Sequence, residues 1–296
     1  MNADRFLALY DRAAHAPEAV DRLRRFVLDL AVRGKLVEQD PADEPAPELL
    51  KRIEAEEARS RRLQRARRPR RQVAPDPVAA PHDLPPTWIW TQLDCIADFR
   101  AGRTPPRKEA RYWNTGDFAW VSIADMVHGQ ILRATKETVS AVARRDVFKR
   151  EPESSGTMIM SFKLTIGKMA RLGLAAFHNE AIVAIRPHLS DLDPFLFRFL
   201  PELAKRAKPK GAVKGATLNR ESLAQITVPL PPIAEQQRIV AKVDELMALC
   251  DRLEQTLVKA NDTRSRLLDS LLHEALALDR ADANAAEAPS IAETPG

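Results

Sequence analysis

From Ile239 to Leu271 apolar side chains return at alternating steps of four and three residues. Ile239, Val243, Leu246, Cys250, Leu253, Leu257, Ala260, Leu267 and Leu271 keep this rhythm over 33 residues, with one charged exception at Arg264. A period of 3.5 draws a single stripe along an α-helix and is the seam of a coiled coil. At 1.5 Å per residue such a helix is about 50 Å long. One small domain does not cover a stripe of that length, so the seam calls for another helix. The competing reading is an amphipathic helix lying on its own domain, for which a strict 3.5-residue period is not required. Pro232 near the start and Glu235 in the first turn suit a helix N-terminus. The sequence therefore predicts a spacer helix over residues 232–278, and an Ala/Pro-rich disordered tail over 279–296.

Charge divides the rest. The net of +5 conceals an acidic segment at 1–58 (−4), a linker at 59–86 (+6), a central stretch at 87–228 (+8) and an acidic C-terminal part (−5). A basic centre between acidic helical segments points to a polyanionic partner; scattered solvated charge is the alternative. The linker carries eight Arg in the thirteen positions 59–71 and then turns proline-rich. Phosphate contact and a solvated, partly disordered connector both account for it.

Residues 3–14 and 18–33 read as two short helices split at Pro17, the second striped by Val20, Leu23, Val27 and Leu30 and stopped at Gly34. Another helix starts at Pro47 and Glu48. Beyond Leu84 the character changes: all four Trp, most β-branched runs and most turn signals lie in 87–228. Residues 118–126 read as a strand. Met158, Met160, Phe162, Leu164 and Ile166 alternate with Ser161, Lys163 and Thr165 and predict one long strand. Residues 181–187 and 225–232 give two more, with a helix over 194–207 between them. The fold class expected is α+β: one mixed domain over 87–231, a long coiled-coil spacer helix and N-terminal helices.

No chemistry is signalled. There is no Gly-rich phosphate loop, Gly167-Lys168 being followed by Met169, and no Asn/Asp-Pro-Pro-aromatic loop of the kind that grips a base amino group. The six His are dispersed without ligand spacing, and two cysteines, Cys95 and Cys250, form no metal or disulfide framework. Asp117 and Asp125 flank a strand, where turn or cap roles outweigh catalysis. No catalytic residue, metal or cofactor is expected in this chain. No apolar run of membrane-spanning length occurs and no signal pattern opens the chain, so a cytoplasmic location and no membrane contact are expected.

Four short strings stand out: Leu84-Pro85-Pro86-Thr87-Trp88 with Trp90; Gly102, Thr104 and Pro105; Trp120-Val121-Ser122 with Asp125-Met126; and Thr165-Ile166-Gly167-Lys168. In order they resemble the entry of a target-recognition domain, its Gly-x-Thr-Pro turn, its strand motif and its second turn, as found in the specificity subunits of Type I restriction–modification systems. The most specific string is Pro229-Leu230-Pro231-Pro232-Ile233-Ala234-Glu235-Gln236-Gln237-Arg238-Ile239-Val240, which resembles the start of the spacer helix. Val32-Arg33-Gly34-Lys35-Leu36-Val37, Gln39-Asp40-Pro41 and Asp43-Glu44-Pro45 resemble a segment beside spacer helices. The resemblance covers roughly residues 20–275. It implies a non-catalytic subunit that reads double-stranded DNA and directs a DNA methyltransferase subunit, which binds S-adenosylmethionine and methylates adenine N6; a restriction–translocation subunit can join them. Family members carry two recognition domains and only one is visible here. A half-size subunit is expected, pairing as a homodimer through the seam. A scaffold that tethers proteins and reads no DNA is the rival from another class, and a nuclease with a divergent site a second.

Reading DNA needs side chains at base edges and at phosphates, carried on loops of a rigid scaffold. Three groups fit: Arg100, Gly102, Arg103, Thr104, Arg107 and Lys108 at the first turn; Lys163, Thr165 and Lys168 at the second; and Lys210, Lys214, Thr217, Asn219 and Arg220 in the glycine-containing 208–220 loop. The tryptophans are expected in the core.

Overall fold

A computed structural model describes residues 18–63, 80–207 and 218–286. Most of the Arg run, the lysines of the third loop (Lys210, Lys214) with Thr217, the first predicted helix and the last ten residues lie outside the described residues. The chain divides into two compact units, Val27–Val243 and a second made of Met1–Phe26 with Asp244–Gly296; the boundaries fall inside two helices. The elements are helices α1 (Ala19–Val32), α2 (Ala46–Leu63), α3 (Asp193–Arg206), α4 (Arg220–Ala224) and α5 (Ile233–Ala286), and ten strands: β1 (Ile89–Gln92), β2 (Ala97–Ala101), β3 (Trp113–Val121), β4 (Ile131–Leu132), β5 (Glu137–Val139), β6 (Met158–Ser161), β7 (Met169–Leu172), β8 (Ala176–His178), β9 (Ile182–Pro187) and β10 (Thr227–Leu230). Helices and mixed sheets together make the expected α+β class.

In the unit Val27–Val243 the strands form three sheets, ordered β2-β9-β6-β7-β4, β5-β3-β8 and β1-β10. Pairings are antiparallel except β3 with β8 and β4 with β7. All of β6 is buried, as are the first four residues of β9. Continuous apolar runs of this kind suit the middle of a sheet covered on both faces. Val121, Met126, Leu132, Ile159, Ala170, Leu172, Ala176, Ile182 and Ala184 form one core cluster. A second is aromatic: Trp113 meets Trp120 edge-on at 5.0 Å, and Phe148 stacks on Phe177 at 3.9 Å. Each large ring removed from water contributes about 2–3 kcal/mol. Trp88, Trp113 and Trp120 are buried, as the aromatic pattern predicts.

The long strand read through Met158 to Ile166 is corrected. β6 stops at Ser161, and the chain turns back at once: Ser161 N–H donates to Lys168 O (3.0 Å), Gly167 N–H to Ser161 O (2.9 Å) and Lys168 N–H to the Ser161 hydroxyl (3.1 Å). Leu164, placed by the alternation on the apolar face of that strand, is 86% exposed with φ +65°. The strand read over 118–126 also ends early, at Val121. There Asp125 accepts from the Ser122 N–H and hydroxyl at 2.8 and 2.7 Å, and Asp117 accepts from Ala141 N–H at 2.9 Å. Both carboxylates hold turns, which is the cap role their sequence context favours.

The strings that carry the resemblance interlock. Glu235, buried in the first turn of α5, accepts from the Trp88 indole N–H at 2.8 Å and from the Gln39 side-chain amide; Gln39 in turn accepts from the Thr87 hydroxyl at 2.9 Å. Arg238 donates to Asp43, and Gln236 folds back to donate to Pro231 O at 2.8 Å. Gly34 sits at φ +65° where a Cβ would lie 2.3 Å from Pro85, so only glycine allows that approach. Burial pushes the Glu235 carboxyl up; the two donors and Arg238 oppose it. A buried carboxylate is tolerated only where such donors meet it.

In the other unit Arg24 of α1 donates to Asp251 (2.7 Å) and Glu254 (2.6 Å) of α5. Leu246 and Cys250 are buried and Leu253 and Leu257 half-buried, whereas Leu267, Leu268 and Leu271 are exposed. The seam is thus covered within the chain at Ile239, Val243, Leu246 and Cys250 and bare in its later turns. Helix α5 continues through Ala286, so residues 279–286, expected in the disordered tail, are helical.

Candidate nucleic-acid interface

The first loop leaves β2 and is pinned throughout. Gly102 is buried against the turn between β8 and β9: its N–H donates to Ile182 O (3.1 Å), and a Cβ there would lie 2.0 Å from His178 O and 2.2 Å from Asn179 O. Arg103 donates its backbone N–H to His178 O (2.9 Å) and its guanidinium to Val147 O (2.8 Å). The indoles of Trp120 and Trp113 donate to Arg103 O and Pro106 O at 3.1 and 3.2 Å. Arg107 lies 4.0 Å over the Trp113 ring and 4.8 Å from that of Trp120, and pairs with Glu137. The Pro-Pro loop is therefore rigid, and two of its guanidiniums are engaged by the protein itself. Lys108 is exposed at the end of the loop.

Beneath the loop lies a charged hub that the sequence reading missed. Glu153, 1% exposed, is met by Arg150 (3.2 Å), Arg100 (3.4 Å) and Arg186. Three guanidiniums around one carboxylate leave a surplus of positive charge at the outer edge, where Arg100 and Arg186 are about half exposed. His178 is buried beside it, and burial depresses its pKa to about 4, so the ring is neutral at pH 7. No local spacing joins Arg100, Glu153, His178 and Arg186; the β2–β9 pairing sets Arg100 and Arg186 on neighbouring strands, and a bridge from Glu153 to Ala176 sets the carboxylate beside β8, which ends at His178.

The second group sits on the 162–168 turn. Lys163 lies 5.4 Å over the Phe162 ring, Thr165 is exposed, and Lys168 donates its ammonium to Ile123 O at 3.0 Å. Of the third group, Asn219 and Arg220 are described and exposed. The Asn219 side chain accepts from Ser222 N–H at 2.7 Å and caps α4.

Two contacts draw these segments together. Leu218 N–H donates to Phe162 O at 3.0 Å, fixing the third segment beside the second turn. Glu180, exposed in the turn that carries the chain from β8 in one sheet to β9 in another, accepts from the Thr104 hydroxyl of the first loop. Partial burial raises the Glu180 pKa, but the hydroxyl, its own backbone N–H and the nearby charges of Lys163 and Arg107 bring it below the ordinary carboxylate value. One carboxylate thus stands where the first loop and second turn meet. Glu180 was not anticipated; Asn179-Glu180 between two apolar runs in a basic module was the available signal. Among the described residues no cluster of His, Cys, Asp and Glu could hold a metal ion, and no helix is long and apolar enough to cross a membrane.

A family model described as the Type I restriction modification DNA specificity domain matches residues 85–260. Two Escherichia coli relatives are the EcoAI specificity subunit, 30% identical over 268 residues, and the EcoEI specificity subunit, 29% identical over 272. Each match covers 86% of this chain but only 44% and 43% of the relative. The chain spans less than half the length of these two relatives. A chain from a structural study of type I R-M complex assembly and conformational transition shares the fold, with a TM-score of 0.50 and 23% identity over 86% of this chain and 58% of that one.

Proposed function

The chain belongs to the family of Type I restriction modification DNA specificity domains, and we propose that it is a half-length specificity subunit that reads one part of a double-stranded DNA site. In this reading residues 87–231 are the recognition domain and 232–278 the spacer helix. The observation that carries it is the convergence of the basic loops on the turn between β8 and β9: segments far apart in sequence present Arg100, Lys108, Lys163, Thr165 and Arg220 from one scaffold. Loops fixed on a sheet suit base reading, and unpaired cations around them suit phosphate contact. The chain performs no chemistry itself. It directs a methyltransferase subunit, which holds S-adenosylmethionine, and a restriction–translocation subunit where one is present, in the cytoplasm.

The bare turns of α5 supply the second half of the proposal. Leu267, Leu268 and Leu271 are exposed on a helix whose earlier seam is buried, and two copies pairing there would present two readers to a two-part site. Titration of a labelled random duplex against the purified chain at several salt concentrations tests the first part. Affinity should fall steeply, as log K against log salt with a slope set by the phosphates neutralised; no duplex binding at low salt would favour a scaffold that reads no DNA. Sedimentation at micromolar concentration tests the second, and a monomer of 33.1 kDa would refute pairing.

A further inference from the structure

We propose that Glu180 determines specificity: its carboxylate accepts a hydrogen bond from the exocyclic amino group of one base in the major groove. This rests on the DNA-reading proposal above and goes beyond it by assigning a base-reading atom.

The argument begins with electrostatics. A carboxylate on a face that meets phosphates is repelled by them, so it weakens sequence-independent binding and gains nothing from backbone contact. Glu137, on the same side of the first loop, is neutralised by its pair with Arg107. Glu180 is different. Among the described residues it forms no ion pair, although Lys163 and Arg107 are near enough to act on it. Its side-chain partner is the neutral Thr104 hydroxyl, which orients the carboxylate without cancelling its charge. An ionised carboxylate only accepts, and with two oxygens it has capacity beyond one hydroxyl. Base edges in the major groove offer two kinds of donor, cytosine N4 and adenine N6; guanine O6 and N7 and thymine O4 are acceptors and repel it. The turn is pinned on both sides of Glu180 and can aim it: Asn179 N–H donates to Val121 O (3.0 Å), and the Asn179 side chain accepts from Ala181 N–H (3.0 Å).

The test is selection from a randomised duplex library by the full chain, in wild-type form and as Glu180→Gln and Glu180→Ala. Gln keeps an acceptor for Thr104 and adds a donor; Ala removes both. The expected result is a change of about tenfold in base preference at one column of the motif for each variant, the other columns being unchanged. The wild type prefers cytosine or adenine on one strand there, and the column identifies which. Methylating that amino group should weaken wild-type binding and leave Glu180→Ala indifferent. An unchanged motif in Glu180→Gln overturns the assignment. So does uniformly tighter binding of both variants to every duplex, which would make Glu180 a mere repulsive charge. A wild type that binds duplex but enriches no motif overturns sequence reading and this assignment together; altered columns scattered across the motif would reduce Glu180 to loop support.

Discussion

Two glutamates in the unit Val27–Val243 show how differently one residue type can be used. Glu235 is sealed in the first turn of α5 and takes the Trp88 indole and the Gln39 amide; its acceptor capacity serves the fold. Glu180 stands exposed in the turn between β8 and β9, takes one hydroxyl, and has cations nearby that do not pair with it. The first ties Gln39, Trp88 and α5 into one node. The second belongs to a face whose charges are only partly spent within the protein. A motif string can therefore be highly recognisable for structural reasons, as Glu235-Gln236-Gln237-Arg238 is, while the residue that meets a ligand lies in an unremarkable Asn-Glu turn.

The largest test of this contrast is Glu235→Ala. It strands an indole N–H and an amide in the interior and should cost about 2–4 kcal/mol in chemical denaturation. Glu180→Ala, at an exposed site, should stay within about 0.5 kcal/mol. Equal losses would erase the distinction between the two carboxylates.

Next is the platform under the first loop. His178 has its folded pKa depressed from 6.5 to about 4 by burial. A depressed histidine contributes stability that is present above its unfolded pKa and lost as pH falls toward the folded value. Stability should therefore decline between pH 6.5 and 4, by on the order of 2 kcal/mol at pH 5. His178→Leu should make that decline shallower; an identical pH profile would show that the buried ring is not what sets it. Gly102→Ala forces a methyl against two carbonyl oxygens of the turn between β8 and β9 and should cost about 1–3 kcal/mol, read as a lower denaturation midpoint. The smallest effect is expected at Leu164. Its left-handed backbone and exposed side chain predict that Leu164→Gly is neutral or stabilising by about 1 kcal/mol, and a destabilised variant would reveal packing that its 86% exposure does not show.

The sequence made some of this legible and hid the rest for identifiable reasons. The heptad stripe announced α5 because periodicity is local. The partner of its earlier turns was not legible, since nothing in Asp251 or Glu254 names Arg24. Alternation from Met158 predicted a strand correctly up to Ser161 and then misled, because Phe162, Leu164 and Ile166 keep the rhythm through a turn; Phe162 is buried and Leu164 is not. Basic loop residues were found by charge and turn chemistry, but their internal partners were not. That Arg103 reaches Val147 O, 44 residues on, or that Arg107 is held by Glu137, 30 residues on, and two indoles, depends on tertiary packing that no local pattern encodes.

The pairing of Arg24 with Asp251 and Glu254 has a consequence for the order in which the molecule can form. These contacts span 227 and 230 residues, and the unit Val27–Val243 lies between them in sequence. As the chain emerges from the ribosome, the first turns of α1 appear early, and their partner is made only after β10 is complete. Contacts of such separation are slow to close, and domains assemble in the order of synthesis. The face of α1 around Arg24 therefore waits for this partner through the making of every described strand.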